Sequence, residues 1–455
     1  MGRLSLHGSG LGAVPPPLTP EILRLISSDS WQNRSVIRRF DRDISAAIVA
    51  RFISRTGGEA AFFVGIWGKA AYEFQADASS LAGLMAALGV ASLAGSAVAG
   101  ALIDRYGPRK VLLASEVLFA PATVAAAFST SMPELSVAAA AIGLFGAPAY
   151  TAIASLGPFI TDDPDRLARI NAGLETGGMA ALISGTAVGA ALAASVSIDA
   201  IFWFDGATSL VAAVIVWPIR TRPPLERRVG DGGSFSEVRR GFTEVYGNRR
   251  LRFYVLAATS VWLLFGLFGA LEPLFYRDVL GTGPEAIGLV NMLLGIGLVA
   301  GTLGVARLSA RRRSAVTTVG LLGASGAIGV AYVGTDRLWV VIVAGTMWGV
   351  VLGAFLPLVR TLIQLNTTEE VMGRVMGTTQ VHGEAAKLLP LLAAPAMAGA
   401  FGVQLTLAGA SAVLVAGSLA AVGVARELDR TRAVPVPAPS SDEDWMLDAP
   451  RTPAP

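Results

Sequence analysis

"GALIDRYGPRK" occupies residues 100–110. One acid, Asp104, and three bases, Arg105, Arg109 and Lys110, crowd into a single turn with Gly100 and Gly107. On each side runs a stretch of apolar and small residues. Each is long enough to cross a ~30 Å hydrocarbon core, which takes about 20 helical residues. A charged turn between two such stretches reads as a loop between membrane helices.

Working outward from this turn, the same alternation recurs along the chain. The sequence is 53% hydrophobic and only 15% charged, against about 25% charged in an ordinary soluble domain. Its apolar runs are continuous and rich in Leu, Ala, Val and Gly. A membrane barrel would instead show alternating segments of about ten residues. Helices are therefore expected, with limits near 47–72, 80–103, 111–130, 136–160, 170–194, 198–218, 253–276, 284–306, 315–334, 338–363, 375–399 and 404–424. The long basic segment 219–252 splits these spans six and six. The expected division is a tail (1–46), a first bundle (47–218), a linker (219–252), a second bundle (253–424) and a Pro-rich acidic tail (425–455) that reads as disordered. Within the first tail, "LTPEILRLI" has the spacing of a short helix.

Composition excludes several classes. There is no cysteine, and the only histidines are His7 and His382, so little material exists for a zinc site. No Walker-type phosphate loop occurs. The basic residues sit in short loops, without the patch that marks a nucleic-acid surface. Residues 1–46 lack the apolar core of a signal peptide. No metal or cofactor is expected.

Loop charge sets the expected orientation, because Lys and Arg accumulate on the cytoplasmic side. With the N-terminus inside, the inside segments hold Arg105, Arg109 and Lys110, Arg166 and Arg169, nine arginines between 220 and 252, Arg307, Arg311, Arg312, Arg313, Arg360 and Arg374. The outside loops hold Arg277 and Arg337. Both termini are thus expected in the cytoplasm. The halves also match each other. "GLMAALGVASLAG" (83–95) and "GLVNMLLGIGLVAG" (288–301) occupy equivalent spans, each followed by a basic turn, "DRYGPRK" and "ARRRSAV". Internal repeats of this kind mark transporter folds.

With those spans in place, "GALIDRYGPRK" resembles the loop motif between the second and third helices of the major facilitator superfamily. Gly100, Leu102, Asp104, Arg105, Gly107, Arg109 and Lys110 fit its pattern. "FISRTGGEAAF" (52–62), "ARINAGLETGG" (168–178), "FWFDGATSL" (202–210), "LEPLFYRDVLG" (271–281) and "PLVRTLIQLNTTEEVMGRVMG" (357–377) are similar to the bacterial drug- and siderophore-exporter branch. The resemblance implies an all-α membrane protein of twelve helices in two pseudo-symmetric six-helix bundles. It also implies alternating access and proton-driven antiport, and it sets Asp104 against the N-terminus of the eleventh span as a breakable latch. One departure is local. "ISGTAVGAA" keeps Gly185 and Gly189, but has Thr186 and Ala190 where an antiporter element carries proline and glycine.

Charges inside spans are costly, about 2.5–3.5 kcal/mol each at a helix centre, and so tend to face a partner or a wet cavity. In the first span Arg51, Arg55 and Glu59 follow four-residue spacing, with Lys69 and Glu73 continuing roughly the same face. This reads as a cavity wall with Glu59 as proton or cation site and Arg55 as its partner, or as arginines snorkelling to headgroups. Glu384 and Lys387 in span eleven read as a structural pair or a site for a charged substrate. Glu116, Glu175, Asp205 and Glu272 are single acids in four other spans. Glu116, Asp205 and Glu272 join the proton or substrate candidates, whereas Glu175 reads as a partner for loop arginines. Phe62, Phe63, Trp67, Trp203 and Phe204 read as packing or as substrate contacts.

The function expected is proton-coupled efflux of a small amphipathic organic compound from the cell by a monomeric transporter in the cytoplasmic membrane. Proton-coupled nutrient import on the same scaffold is the alternative, and a sensor or scaffold role a weaker one.

Overall fold

The computed structural model describes residues 42–161, 163–222, 235–309, 312–368 and 371–431. The helix foreseen at "LTPEILRLI", the acidic tail from 432 onward, most of the linker's first half and Ala310, the counterpart of Asp104 in the second repeat, lie outside them.

The described chain is helical throughout. Helix α1 covers 42–73, with π-helical turns at Ala61–Ile66 and Lys69–Glu73. It is followed by α2 (Ala78–Tyr106), α3 (Pro108–Ala127), α4 (Met132–Ala154), the single turn α5 (Gly157–Ile160), α6 (Pro164–Ser195) and α7 (Ile198–Val216). Helix α8 (Phe235–Gly247) belongs to the linker. The second set is α9 (Arg249–Val279, ending in a π turn), α10 (Pro284–Ala306), α11 (Ala315–Val333), α12 (Leu338–Leu365), α13 (Met372–Phe401) and α14 (Val403–Arg430).

The spans expected from the sequence fall on these helices, although α6 starts at Pro164 rather than 170 and α9 at Arg249 rather than 253, and three further differences stand out. The fourth breaks after Ala154 into α4 and α5. Helix α1 starts inside the expected tail, and α14 runs on to Arg430. The last two extensions carry charged ends such as Arg42, Asp43, Arg426 and Glu427, which hydropathy leaves out although the backbone stays helical.

Among the described residues, ten helices are long and apolar enough to cross a membrane. Helices α1 and α13 are not among them, and these carry Arg51, Arg55, Glu59 and Lys69, and Glu384 and Lys387.

Packing repeats between the sets. Helix α4 packs on α2 and α3, and α3 on α7; likewise α12 packs on α10 and α11, and α11 on α14. Between the sets, α6 meets α10 and α13 meets α2. Close helix approach explains the glycines. A Cβ on Gly95 would lie 2.4 Å from the Leu144 carbonyl, and one on Gly301 would lie 2.0 Å from that of Val350. The same sequence offset carries each residue of the first contact onto the second. Small residues allow such close backbone contact within a membrane, where the hydrophobic effect no longer drives helices together.

Local chemistry ends the helices. Asp77 caps α2 by accepting the Ser80 amide at 2.8 Å, and this bond with that from the Ser79 hydroxyl holds its carboxyl below the usual range. Asn248 and Ser314 cap α9 and α11. Gly107, with φ 81°, turns α2 directly into α3, a conformation that favours glycine.

Candidate functional site

The molecule has two ends. One, here called the motif face, carries the α2–α3 turn. The other, the far face, carries the α1–α2 and α9–α10 turns. At the far face the two bundles are bonded together. Arg277, at the end of α9, donates to the carbonyls of Ala71 in the last turn of α1 (2.7 Å) and Ala76 just beyond it (3.0 Å). Gly68 of α1 faces Pro284, and Gly288 of α10 sits over the Thr186 carbonyl and Ala190 of α6. At the motif face, Asp104, Arg105 and Lys110 are exposed. Among the described residues Asp104 makes no hydrogen bond or ion pair. The Arg105 guanidinium lies 5.2 Å from the Tyr106 ring centre, and Arg109 donates to the Trp217 carbonyl of α7. Helix α13 begins after Val371 without a side-chain cap.

Inside the first bundle the charged stripe of α1 meets acids from α3 and α7. Arg55 and Glu59 form an ion pair, with Glu59 buried. A cavity of about 130 Å³ is lined by Arg51, Ser54 and Arg55 of α1, Glu116 of α3 and Tyr150 of α4. The Ser54 hydroxyl lies 2.9 and 3.1 Å from the two carboxylate oxygens of Glu116. Arg51 lies over the Tyr150 ring at 4.5 Å. One layer deeper, Asp205 of α7 is completely buried. Its Oδ2 accepts the Thr123 hydroxyl at 2.8 Å, and its Oδ1 has no partner among the described residues. Gly57 lets α1 close over it, since a Cβ there would stand 2.7 Å from Oδ1. Three acids thus share a small volume with two arginines, and one arginine is already taken by Glu59.

The remaining candidates lie elsewhere. Lys69 is buried near the far face, where Nζ bonds Asp199 (2.5 Å) and the Ala127 carbonyl (2.8 Å). Glu384 accepts from Lys387 (2.8 Å) and Gln380 (2.9 Å) along α13. Glu272 of α9 accepts the Tyr332 hydroxyl at 2.5 Å, and Tyr332 is bonded to Tyr276 at 2.6 Å. Glu272 is therefore separate from the first bundle's cluster. Thr123, Tyr332 and Arg277 have no local sequence signal. Thr123 and Tyr332 meet acids of other helices, and Arg277, besides its neighbour Asp278, reaches carbonyls of the other bundle, so only the packing reveals these bonds.

Two pseudo-symmetric six-helix bundles, bonded at one end and carrying charge in their inner helices, define a multi-pass membrane transporter. The sequence pattern of the Major Facilitator Superfamily matches residues 47–389, and the chain belongs to that superfamily. It is similar to the multidrug efflux pump Tap of Mycobacterium tuberculosis, 27% identical over 350 residues that cover 73% of this chain and 82% of Tap. A D-xylose-proton symporter shares the fold with a TM-score of 0.68 at 13% identity, over 87% of this chain and 100% of that one. The nucleoside transporter NupG does so with a TM-score of 0.66 at 12% identity, over 83% and 98%. At these identities the structural likeness is one of fold.

Proposed function

We propose that the protein exports small amphipathic organic compounds in exchange for protons, as a monomer in the cell membrane, with the motif face and both termini in the cytoplasm. The observation that carries the reading is the Glu116–Asp205 pair of sites. Both carboxyls have hydroxyl groups as hydrogen-bond partners, and hydroxyls donate or accept as needed. Such partners serve a carboxylic acid and a carboxylate alike, as reversible proton uptake demands. Glu59, fixed on Arg55, is the third member of the cluster.

Direction and orientation have separate support. The name of the relative Tap favours export. The crowding of arginines at the motif-face ends favours a cytoplasmic motif face. The bonded far face and the free Asp104 correspond to an inward-open state. Asp104 then engages α13 only in the opposite state, where a carboxylate against helix-terminal amides is favourable.

The test is uptake of a panel of amphipathic fluorescent dyes into inverted membrane vesicles under an imposed pH gradient. Accumulation with an acidic interior is the expected result. Accumulation confined to right-side-out vesicles would establish import instead.

A further inference from the structure

The second bundle carries a large feature apart from the charged cluster described above. A groove of about 890 Å³ opens on its outer side between α9, α13 and α14, with Val319 and Leu322 of α11 at its back. Its lips Leu256, Leu263, Leu405 and Val413 are exposed on helices long and apolar enough to cross a membrane, so they face lipid, and Phe401 at the end of α13 is exposed beside them. Gly409 and Gly417 line the groove, and a Cβ on either would meet no atom within 4 Å.

The chemistry of the wall selects its occupant. Ser260, Thr406 and Ser418 each donate to a carbonyl of their own helix, at 2.9, 2.8 and 2.7 Å. Their donor protons are already used, and the rest of the lining is hydrocarbon. The groove follows α9 from Phe253 to Leu267, about 21 Å at 1.5 Å per residue. One leaflet of the hydrocarbon core is about 15 Å deep. An acyl chain can therefore lie in it through its whole leaflet. Left empty, the lining would lose its dispersion contacts.

Charge is present at one end only. Arg249 and Arg252 stand four residues before Phe253 and Leu256, so they continue the groove's face by one turn toward the motif face. Arg249 is paired with Glu427 at 2.7 Å. Arg252 is exposed, its one side-chain hydrogen bond among the described residues runs to the Tyr246 carbonyl at 3.4 Å, and no carboxylate pairs with it there. At the far end stand Phe401 and Leu405. We infer that the groove holds an acyl chain of an anionic phospholipid from the motif-face leaflet, with its phosphate on Arg252.

This assignment stands apart from the direction of transport. For the test, the full chain is reconstituted in vesicles of equal phosphatidylglycerol and phosphatidylcholine. It is then extracted in mild detergent, and its retained lipid is measured by native mass spectrometry. The wild type should retain phosphatidylglycerol with about fivefold preference, the worth of one interfacial arginine. Arg252→Ala should lose the preference and keep the total. Gly409→Leu with Gly417→Leu should lose the lipid of both kinds. If that double variant unfolds, Arg252→Ala by itself decides. Equal retention of the two lipids by wild type, or unchanged preference in Arg252→Ala, overturns the assignment. So does displacement of the lipid by transported dye, which would make the groove a substrate path.

Discussion

Asp205 is the residue on which proton coupling can be tested with least disturbance. An asparagine keeps the volume and can still accept from Thr123, but it carries no titrating proton. Asp205→Asn should therefore fold with stability within about 1 kcal/mol of wild type, as near-isosteric changes do. Accumulation driven by a pH gradient in inverted vesicles should disappear. Wild-type accumulation would remove Asp205 from the coupling route. Lys69 gives the opposite expectation. Its bonds to Asp199 and the Ala127 carbonyl hold α1 against α3 and α7. Losing a charged hydrogen-bond partner costs about 1–3 kcal/mol, and Asp199 is half exposed, so the lower part of that range applies. Lys69→Met should lower the unfolding temperature and leave dye transport per folded molecule unchanged. A selective transport defect without loss of stability would instead make Lys69 part of the transport route.

At the scale of the element, one side chain adds to the far-face contact by reaching across the two bundles. Arg277 holds the end of α1 through two carbonyls. Hydrogen bonds from a charged donor are worth about 1.5–3 kcal/mol. Removing them moves a two-state balance about tenfold or more, since roughly 5.5 kcal/mol covers the whole range from 1:99 to 99:1. The chain contains no cysteine, so spin labels can be placed without first removing native thiols. Labels at Val196 and Asp336, on the far ends of the two bundles, should show a larger far-open population in Arg277→Ala. An unchanged distance distribution would assign the closure to the α6–α10 contact alone. The glycine pairs of α2 with α4 and α10 with α12 belong to this scale too. They give the two repeats of sequence the same close helix contact.

At the scale of the whole molecule, the proposed alternating-access cycle requires the bonds of one face to give way as those of the other form. The structure holds one such arrangement, bonded at Arg277 and free at Asp104. If Asp104 latches the opposite arrangement, Asp104→Asn should leave the far-face distances of the resting protein unchanged. It should also slow dye accumulation, because the outward-open state loses a stabilising contact. Labels on Tyr106 and Thr379 would report the motif-face distance. Full accumulation with an unchanged motif-face distribution would show that Asp104 has no latching role.

Much of this was legible in the sequence for a simple physical reason. A bilayer admits few backbone solutions, so the lengths and spacing of apolar runs fix helices, and loop arginines bias their orientation. The repeat, the motif turn at Gly107 and the charged character of α1 and α13 follow from that pattern. The sequence placed Arg55 beside Glu59 by helical spacing, and Glu384 beside Lys387 in the same way. It could not place Thr123 on Asp205, Ser54 on Glu116 or Tyr332 on Glu272, because each of those bonds joins different helices. Nor could it show which face is closed or that a lipid-sized groove runs beside α9. Local periodicity determined the elements; packing between helices decided which charges meet, which stand alone and which face is held shut.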